Sequence, residues 1–371
     1  MMFKHEITII QGIQQGDESK GKATAYLAAT GEYDLCCRFA GSSNAGHTIY
    51  VNGAKKVTNQ VPSGIFFNGR DAQPMTCIIA SDCIDLTKLE AELVELEKEM
   101  PDVRSRVKIA ENVHIITQKQ IDFDKANNKV GTTGSGNGPC FADKMLRTGT
   151  RVDQLLKMAP DQIDEVDPRL VQHVSNGKVC GCEVIDVVSF FHNAPQSYKI
   201  LCEGAQSYFL GINQKGYPFL TSSTCLPSLV CNMGLSHTEI KEVICIAKGY
   251  VTYVGLDTFQ DMDDITLARY QEYGGEFGAI TGRKRQTGYF DLRRTLTALR
   301  ACGATKIIIN KVDVMIEVNK KFGDPFRLID TDGNKIEFGD FEYFKQYIEG
   351  EIHQKLPDFV EVVWSSSKYT I

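Results

Sequence analysis

The chain has 371 residues, 42% hydrophobic and 24% charged, with a formal net charge of −6. That length suffices for one large or two ordinary domains with a substantial core, and the acidic balance argues against a surface built for nucleic acid or an anionic membrane. No apolar run approaches the roughly 20 residues that span a bilayer, and Met1-Met2-Phe3-Lys4-His5-Glu6 does not resemble a signal peptide.

The first predicted strand is Ile7–Ile10, and it empties into Gly16-Asp17-Glu18-Ser19-Lys20-Gly21-Lys22. Ala23–Ala29 then has helix-forming composition and stops at Gly31. Strand, glycine loop and helix is how a backbone wraps a phosphate: Gly16 and Gly21 allow close approach of amides, the helix N-terminus adds partial positive charge, and Lys20 or Lys22 adds full charge. The spacing is not that of a Walker A loop, because Ala23 follows Gly21-Lys22. Asp17 would repel a phosphate, so its presence points to a metal ion or to proton abstraction.

A second strand is expected before Arg38, followed by the small-residue loop Gly41-Ser42-Ser43-Asn44-Ala45-Gly46-His47-Thr48. His47 in such a loop is predicted to face a ligand and to exchange a proton near neutrality. Further strands are predicted at Cys77–Ala80, Lys199–Cys202, Tyr250–Val254, Lys306–Ile309 and Val360–Trp364. Leu86, Leu89, Leu93 and Leu96 form one stripe of a helix ending before Pro101, and Leu292, Leu296 and Leu299 form another. Strands alternating with helices predict an α/β fold with a mostly parallel central sheet covered by helices on both faces. With no repeat and no Pro/Gly/Ser-rich linker, residues 1–371 read as a single domain.

Three glycine-bearing segments read as functional loops: 41–48, 131–138 and 273–288. Gly131-Thr132-Thr133-Gly134-Ser135-Gly136-Asn137-Gly138 suits closure on a polar ligand, with Asp143, Lys144 and Arg147 following at helical spacing. Gly282-Arg283-Lys284-Arg285 is a basic loop in an acidic protein, and arginine forks suit carboxylates and phosphates. Asp313, in Asn310-Lys311-Val312-Asp313, can accept hydrogen bonds from N1–H and the 2-amino group of guanine, while the Lys311 stem covers the ring. The twelve cysteines contain no Cys-x-x-Cys pair and sit in apolar runs, so reduced thiols in a cytoplasmic setting are expected.

These segments, in this order, resemble the adenylosuccinate synthetase family, and its short archaeal and viral branch in particular. The matching pieces include Gln14–Lys22, Asn44–Thr48, Pro62-Ser63-Gly64, Gly131–Gly134, Glu203-Gly204-Ala205-Gln206, Tyr217–Ser223, Thr281–Arg285 and Lys311–Asp313. The resemblance implies a ligase with a P-loop-NTPase-like fold that joins L-aspartate to the 6-position of IMP, driven by GTP, with Mg²⁺, as a homodimer. It implies Asp17 and His47 as the acid–base pair and Mg²⁺ on Asp17 and the Gly46 carbonyl. It places the monophosphate and aspartate near Lys20, Asn44, Ala45, Thr133, Gln206, Thr221, Val254, Thr281 and Arg283, with Arg147 reaching across a dimer interface. It assigns Gly16, Ser19, Gly21, Lys22, Thr48, Lys55, Arg285, Lys311 and Asp313 to the triphosphate nucleotide.

The chain departs from the family pattern at Gln15, Ser19, Thr252–Phe259, Ile280 and Ser365–Lys368. These departures cluster around the bases. They leave room for a second reading, a viral-type relative that takes dGMP with ATP or dATP. A reading of another class is a nucleotide-binding regulator that hydrolyses GTP.

Overall fold

The computed structural model describes residues 5–128, 130–194, 197–257, 262–277, 282, 284–367 and 371. An eleven-stranded sheet dominates it. Its order is Glu361–Trp364, Lys306–Asn310, Ile240–Lys248, Glu6–Gly12, Lys199–Ser207, Leu35–Arg38, Thr76–Ile79, Val107–Ala110, Cys182–Ile185, Lys178–Val179 and Val174–Ser175. The first nine strands run parallel, and only the terminal hairpins are antiparallel. Parallel strands covered on both faces must be apolar throughout, and Ile7, Ile9 and Ile10 of the central strand are fully buried.

Helices cover the sheet as their leucine stripes require. Leu86, Leu89, Leu93 and Leu96 are the buried residues of the helix Leu86–Glu97, whose first turn is capped by the Asp85 carboxylate accepting from the Lys88 amide at 3.1 Å. The helix Leu292–Cys302 buries Leu292 and Leu299, starts on Asp291 and ends at Gly303, whose φ is 63°.

Several expected boundaries move. The strand predicted at Lys199–Cys202 continues to Ser207, which carries Glu203 and Gln206 into the sheet. The apolar segment Ile240–Lys248 is a central strand. Tyr250–Tyr253 leaves the main sheet and pairs antiparallel with Gln286–Asp291 in a separate four-stranded sheet completed by Phe326–Ile329 and Lys335–Phe338. All four of its residues are buried, as in a core strand, so composition alone does not distinguish the two settings. His47 opens a strand, His47–Val51, and is not in a loop.

The consequence for function is geometric. The loop 13–19 leaves the carboxyl end of Glu6–Gly12, and the loop 39–46 leaves that of Leu35–Arg38. Ser207, Lys248 and Asn310 end the three other strands around them. In open α/β sheets the crevice at those strand ends is where ligands bind.

Candidate active site

The loop after the first strand is built on left-handed backbone: φ is 98° at Gly16, 62° at Asp17 and 75° at Ser19. The fully buried Glu18 carboxylate holds that shape. Its Oε1 accepts from the Gly16 amide at 2.8 Å and the Gln14 amide at 3.2 Å, while Oε2 accepts from Lys20 Nζ at 2.9 Å and Ser207 Oγ at 2.8 Å. The Gly16 amide is therefore used inside the loop, and Lys20 is 5% exposed in a buried ion pair. Ser19 caps the helix Lys20–Ala28 without a side-chain hydrogen bond, and no acidic residue stands in its first turn. That N-terminus suits an anion. Asp17 is half-buried, its Oδ2 lying 2.8 Å from Arg285 Nε.

His47 packs directly on this helix. A Cβ at Gly21 would stand 2.7 Å from His47 Cβ, so the glycine serves the seating of the histidine. His47 Nδ1 lies 2.5 Å from Glu203 Oε1. Glu203 also accepts from the Ser63 amide at 2.7 Å and Ser63 Oγ at 2.6 Å, and its Oε2 is 3.1 Å from Arg38 Nη2. Burial pushes the His47 imidazole down to about 4, Arg38 adds to that push, and Glu203 opposes it. Burial alone would raise the Glu203 carboxyl; Arg38, His47 and Ser63 outweigh it and bring the group to about 2. At neutral pH the pair is carboxylate and neutral imidazole, with Nδ1–H donating to Glu203 and Nε2 unprotonated.

A second charge chain lies under Arg285. Its Nη1 is 2.6 Å from Glu276 Oε2, and Glu276 receives Tyr250 O–H at 2.6 Å and Lys248 Nζ at 3.3 Å. Lys248 and Glu276 are both fully buried. Burial lowers the Lys248 ammonium against the pull of Glu276. Burial would raise Glu276, but Lys248, Lys311 and Arg285 take it down to about 2.

Lys22 donates to Ser365 Oγ and to the Ser367 carbonyl, each at 2.8 Å, and burial brings it down to about 8 with Asp313 resisting. Lys311 caps the helix Val312–Phe322 with φ 62°, and Asp313 is exposed in its first turn.

The remaining loops converge from the other side. Gln206 Nε2 donates to Asn44 Oδ1 at 3.0 Å. A Cβ at Gly41, where φ is 76°, would stand 2.4 Å from that of Ala205 and 2.7 Å from Gln206 Oε1. Gly131 similarly abuts Leu256, just past Val254, and Gly138 abuts Ser222, next to Thr221. Thr133 donates to Ser135 Oγ at 2.9 Å. Ala45 is buried, and Gly46 and Thr48 flank His47 at intermediate exposure. Within this region Gln15 Oε1, Ser42 Oγ, Ser43 Oγ, Asn137 Nδ2 and Oδ1, and Gln206 Oε1 are buried without a partner. Buried polar atoms are rarely left so, and Gln15, Ser42, Ser43 and Gln206 carry theirs at or just beyond the strand ends.

Two expected residues stand away from this centre. Lys55 is exposed on the hairpin His47–Val51/Ala54–Thr58, opposite Tyr50. Arg147 is exposed at the end of the helix Asn137–Leu146. Thr281 and Arg283 lie outside the described residues. Sequence reasoning missed the structural roles of Glu18, Arg38, Lys248 and Glu276. Glu18, Arg38 and Glu276 stand inside segments already marked, whereas Lys248, a lysine closing an apolar strand, stands outside all of them.

The sequence profile of the adenylosuccinate synthetase family matches residues 9–176 and 165–323. The adenylosuccinate synthetase of Helicobacter hepaticus is 35% identical over 338 residues, covering 83% of this chain and 79% of that protein. That of Chlorobium chlorochromatii is 34% identical over 339 residues, 83% and 76% of the two chains. Fully ligated adenylosuccinate synthetase from Plasmodium falciparum superposes with a TM-score of 0.74 at 26% identity, covering 90% of this chain and 84% of that one. Succinoaminodeoxyadenylate synthetase of cyanophage S-2L, bound to dGMP and dATP, gives a TM-score of 0.64 at 18% identity over 93% and 99% of the chains, a likeness of fold. The chain belongs to the adenylosuccinate synthetase family of carbon–nitrogen ligases of purine biosynthesis.

Proposed function

We propose that the chain joins L-aspartate to C6 of IMP at the expense of GTP, releasing GDP and phosphate. The carrying observation is the group of unpartnered buried polar atoms on Gln15, Ser42, Ser43 and Gln206, which lie at or just beyond the ends of the strands Glu6–Gly12, Leu35–Arg38 and Lys199–Ser207, on the same segments as Asp17 and His47. A purine 6-oxygen is a poor leaving group and must first become one. In this reading Asp17 takes the N1 proton, and the electron pair moves to O6, which attacks the γ-phosphoryl group as GDP departs. As the aspartate ammonium becomes the attacking amine, the proton it sheds passes to His47 Nε2, Glu203 steadies the resulting imidazolium, and the imidazolium returns that proton to the departing phosphate. The aspartate amine then adds at C6, and phosphate leaves.

Mg²⁺ fits the donor set: the Asp17 carboxylate and the Gly46 carbonyl are hard oxygens, which suit that ion. When bound it would neutralise phosphate charge. Lys20, Asn44, Ala45, Thr133, Gln206, Thr221 and Val254 are assigned to the monophosphate side, with Thr281 and Arg283 for the aspartate. Gly16, Ser19, Gly21, Lys22, Thr48, Lys55, Arg285, Lys311 and Asp313 are assigned to the triphosphate side. Arg147, beside Met145 and Leu146 at 70% and 72% exposure, is proposed to enter the site of a second copy in a homodimer. No helix among the described residues is long and apolar enough to cross a membrane. Twelve free cysteines, eleven of them buried, support a reducing, cytoplasmic setting.

The test is to supply Mg²⁺ and aspartate, cross IMP and dGMP with GTP, ATP and dATP, and weigh the product. A succinyl adduct of IMP formed with GTP is expected. A succinyl adduct of dGMP alone would transfer the assignment to the viral-type reaction, and phosphate release indifferent to aspartate would replace the ligase with a GTPase.

A further inference from the structure

At the far end of the sheet, away from the strand ends that carry the ligand site, three metal-ligating groups meet. Glu90 belongs to the helix Leu86–Glu97, His173 closes the turn Pro168–His173, and Cys180 lies in the two-residue turn joining Lys178–Val179 to Cys182–Ile185. A carboxylate oxygen, a ring nitrogen and the sulfur lie within 4.8 Å of one another. His173 is 6% and Cys180 2% exposed. An independent observation points to a ligand: His173 Nε2 is buried with no hydrogen-bond partner. A neutral imidazole nitrogen without a partner in a dry setting is costly, and it is a metal donor.

The surroundings complete the arrangement. Arg104 grips the Glu90 carboxylate with Nη1 at 2.9 Å and Nη2 at 2.8 Å, and the Cys180 carbonyl with Nη1 at 2.6 Å. The Cys180 amide donates to the His173 carbonyl at 2.7 Å, tying two of the three donors together. Ligating carboxylates are commonly held by such outer hydrogen bonds. Arg104 also pairs with Glu97 at 2.6 Å, which balances its charge. Glu90 and a Cys180 thiolate then leave two negative charges to match one divalent cation.

We propose that Glu90, His173 and Cys180 form a metal site for zinc or a similar borderline-soft divalent cation, with water as the fourth ligand. Sulfur, nitrogen and oxygen donors suit zinc and not magnesium. Tetrahedral zinc sets its ligands roughly 3.5 Å apart, so the three side chains draw together by about 1 Å on binding. Burial and the neighbouring Glu90 keep the Cys180 thiol protonated without metal, and coordination releases that proton to solvent as the Sγ–metal bond forms. The ion pins the edge hairpin and the turn before it to the helix Leu86–Glu97.

The test uses Co²⁺ on the full chain stripped with chelator. A thiolate-to-cobalt absorption band near 300–350 nm should saturate at about one equivalent per chain and be displaced by Zn²⁺. Co²⁺ at the oxygen donors of the ligand site gives no such band, so that site does not interfere. Cys180→Ser should abolish the band, His173→Asn should weaken Co²⁺ affinity at least tenfold, and Cys182→Ala should keep the band. Zn²⁺ should raise the Tm of the parent chain and not that of folded Cys180→Ser. Absence of the band, or its persistence in Cys180→Ser, overturns the site.

Discussion

Arg285 Nε stands 2.8 Å from Asp17 Oδ2, so the carboxylate proposed to take a proton is already held by a guanidinium. In the proposed reaction a purine N1–H and Arg285 compete for the same group, and the phosphates of the triphosphate would offer Arg285 an alternative anion. Asp17→Asn should therefore lower kcat by about 10³-fold or more, while the triphosphate Kd, read by calorimetry, stays within about threefold. A parallel collapse of binding would make Asp17 a binding group only.

Arg285 is backed by Glu276, and Glu276 by Lys248. Removing one partner of a buried pair leaves an uncompensated charge and costs about 3–5 kcal/mol. Lys248→Met and Glu276→Gln should each destabilise by that order in urea unfolding. The double variant should lose less than the two together. Strict additivity would show that the pair does not act as a unit.

Acid stability follows from His47. Its folded value, about 4, lies below its ordinary 6.5, so the unfolded chain takes the proton first. Stability is fully present above 6.5 and falls toward pH 4, by at most roughly 1.4 kcal/mol per pH unit. Glu203 and Glu276, brought to about 2 from 4.5, extend the loss at lower pH. His47→Asn should flatten the Tm profile between pH 6.5 and 4; an unchanged slope there would rule this origin out.

Lys22, at about 8, keeps its charge at neutral pH and loses it just above. The kcat/KM for the triphosphate should fall above pH 8, since that ratio reports the free enzyme. Lys22→Arg should remove the limb, because a guanidinium stays charged. A limb that survives the substitution belongs to another group.

The parts of this protein legible in its sequence are those written locally. The central strand at Ile7–Ile10, the leucine stripes and the loops around Asp17 and Asn44 depend on neighbours a few residues away. Glu276 and Lys248 are 28 positions apart, and Glu18 and Ser207 are 189 apart. Such pairings depend on strand order, which a single chain of letters does not display. The sheet that Tyr250–Tyr253 joins is undecided by sequence for the same reason: its buried, β-rich run fits either sheet, and the partner Gln286–Asp291 decides. Residue type marks Lys20 and Gly16 as phosphate contacts, but it does not reveal that both also hold the Glu18 carboxylate inside the loop.

Gly21 looks like part of a grip on phosphate, yet its missing side chain is the notch in which His47 sits, with a Cβ there only 2.7 Å from that of the histidine. Even an alanine there would force the histidine or the helix to shift. One hydrogen atom in place of a methyl group thus sets how closely the helix Lys20–Ala28 and the strand His47–Val51 approach, so an inherited change at that position would move the proposed phosphate loop and the proposed proton-handling histidine together.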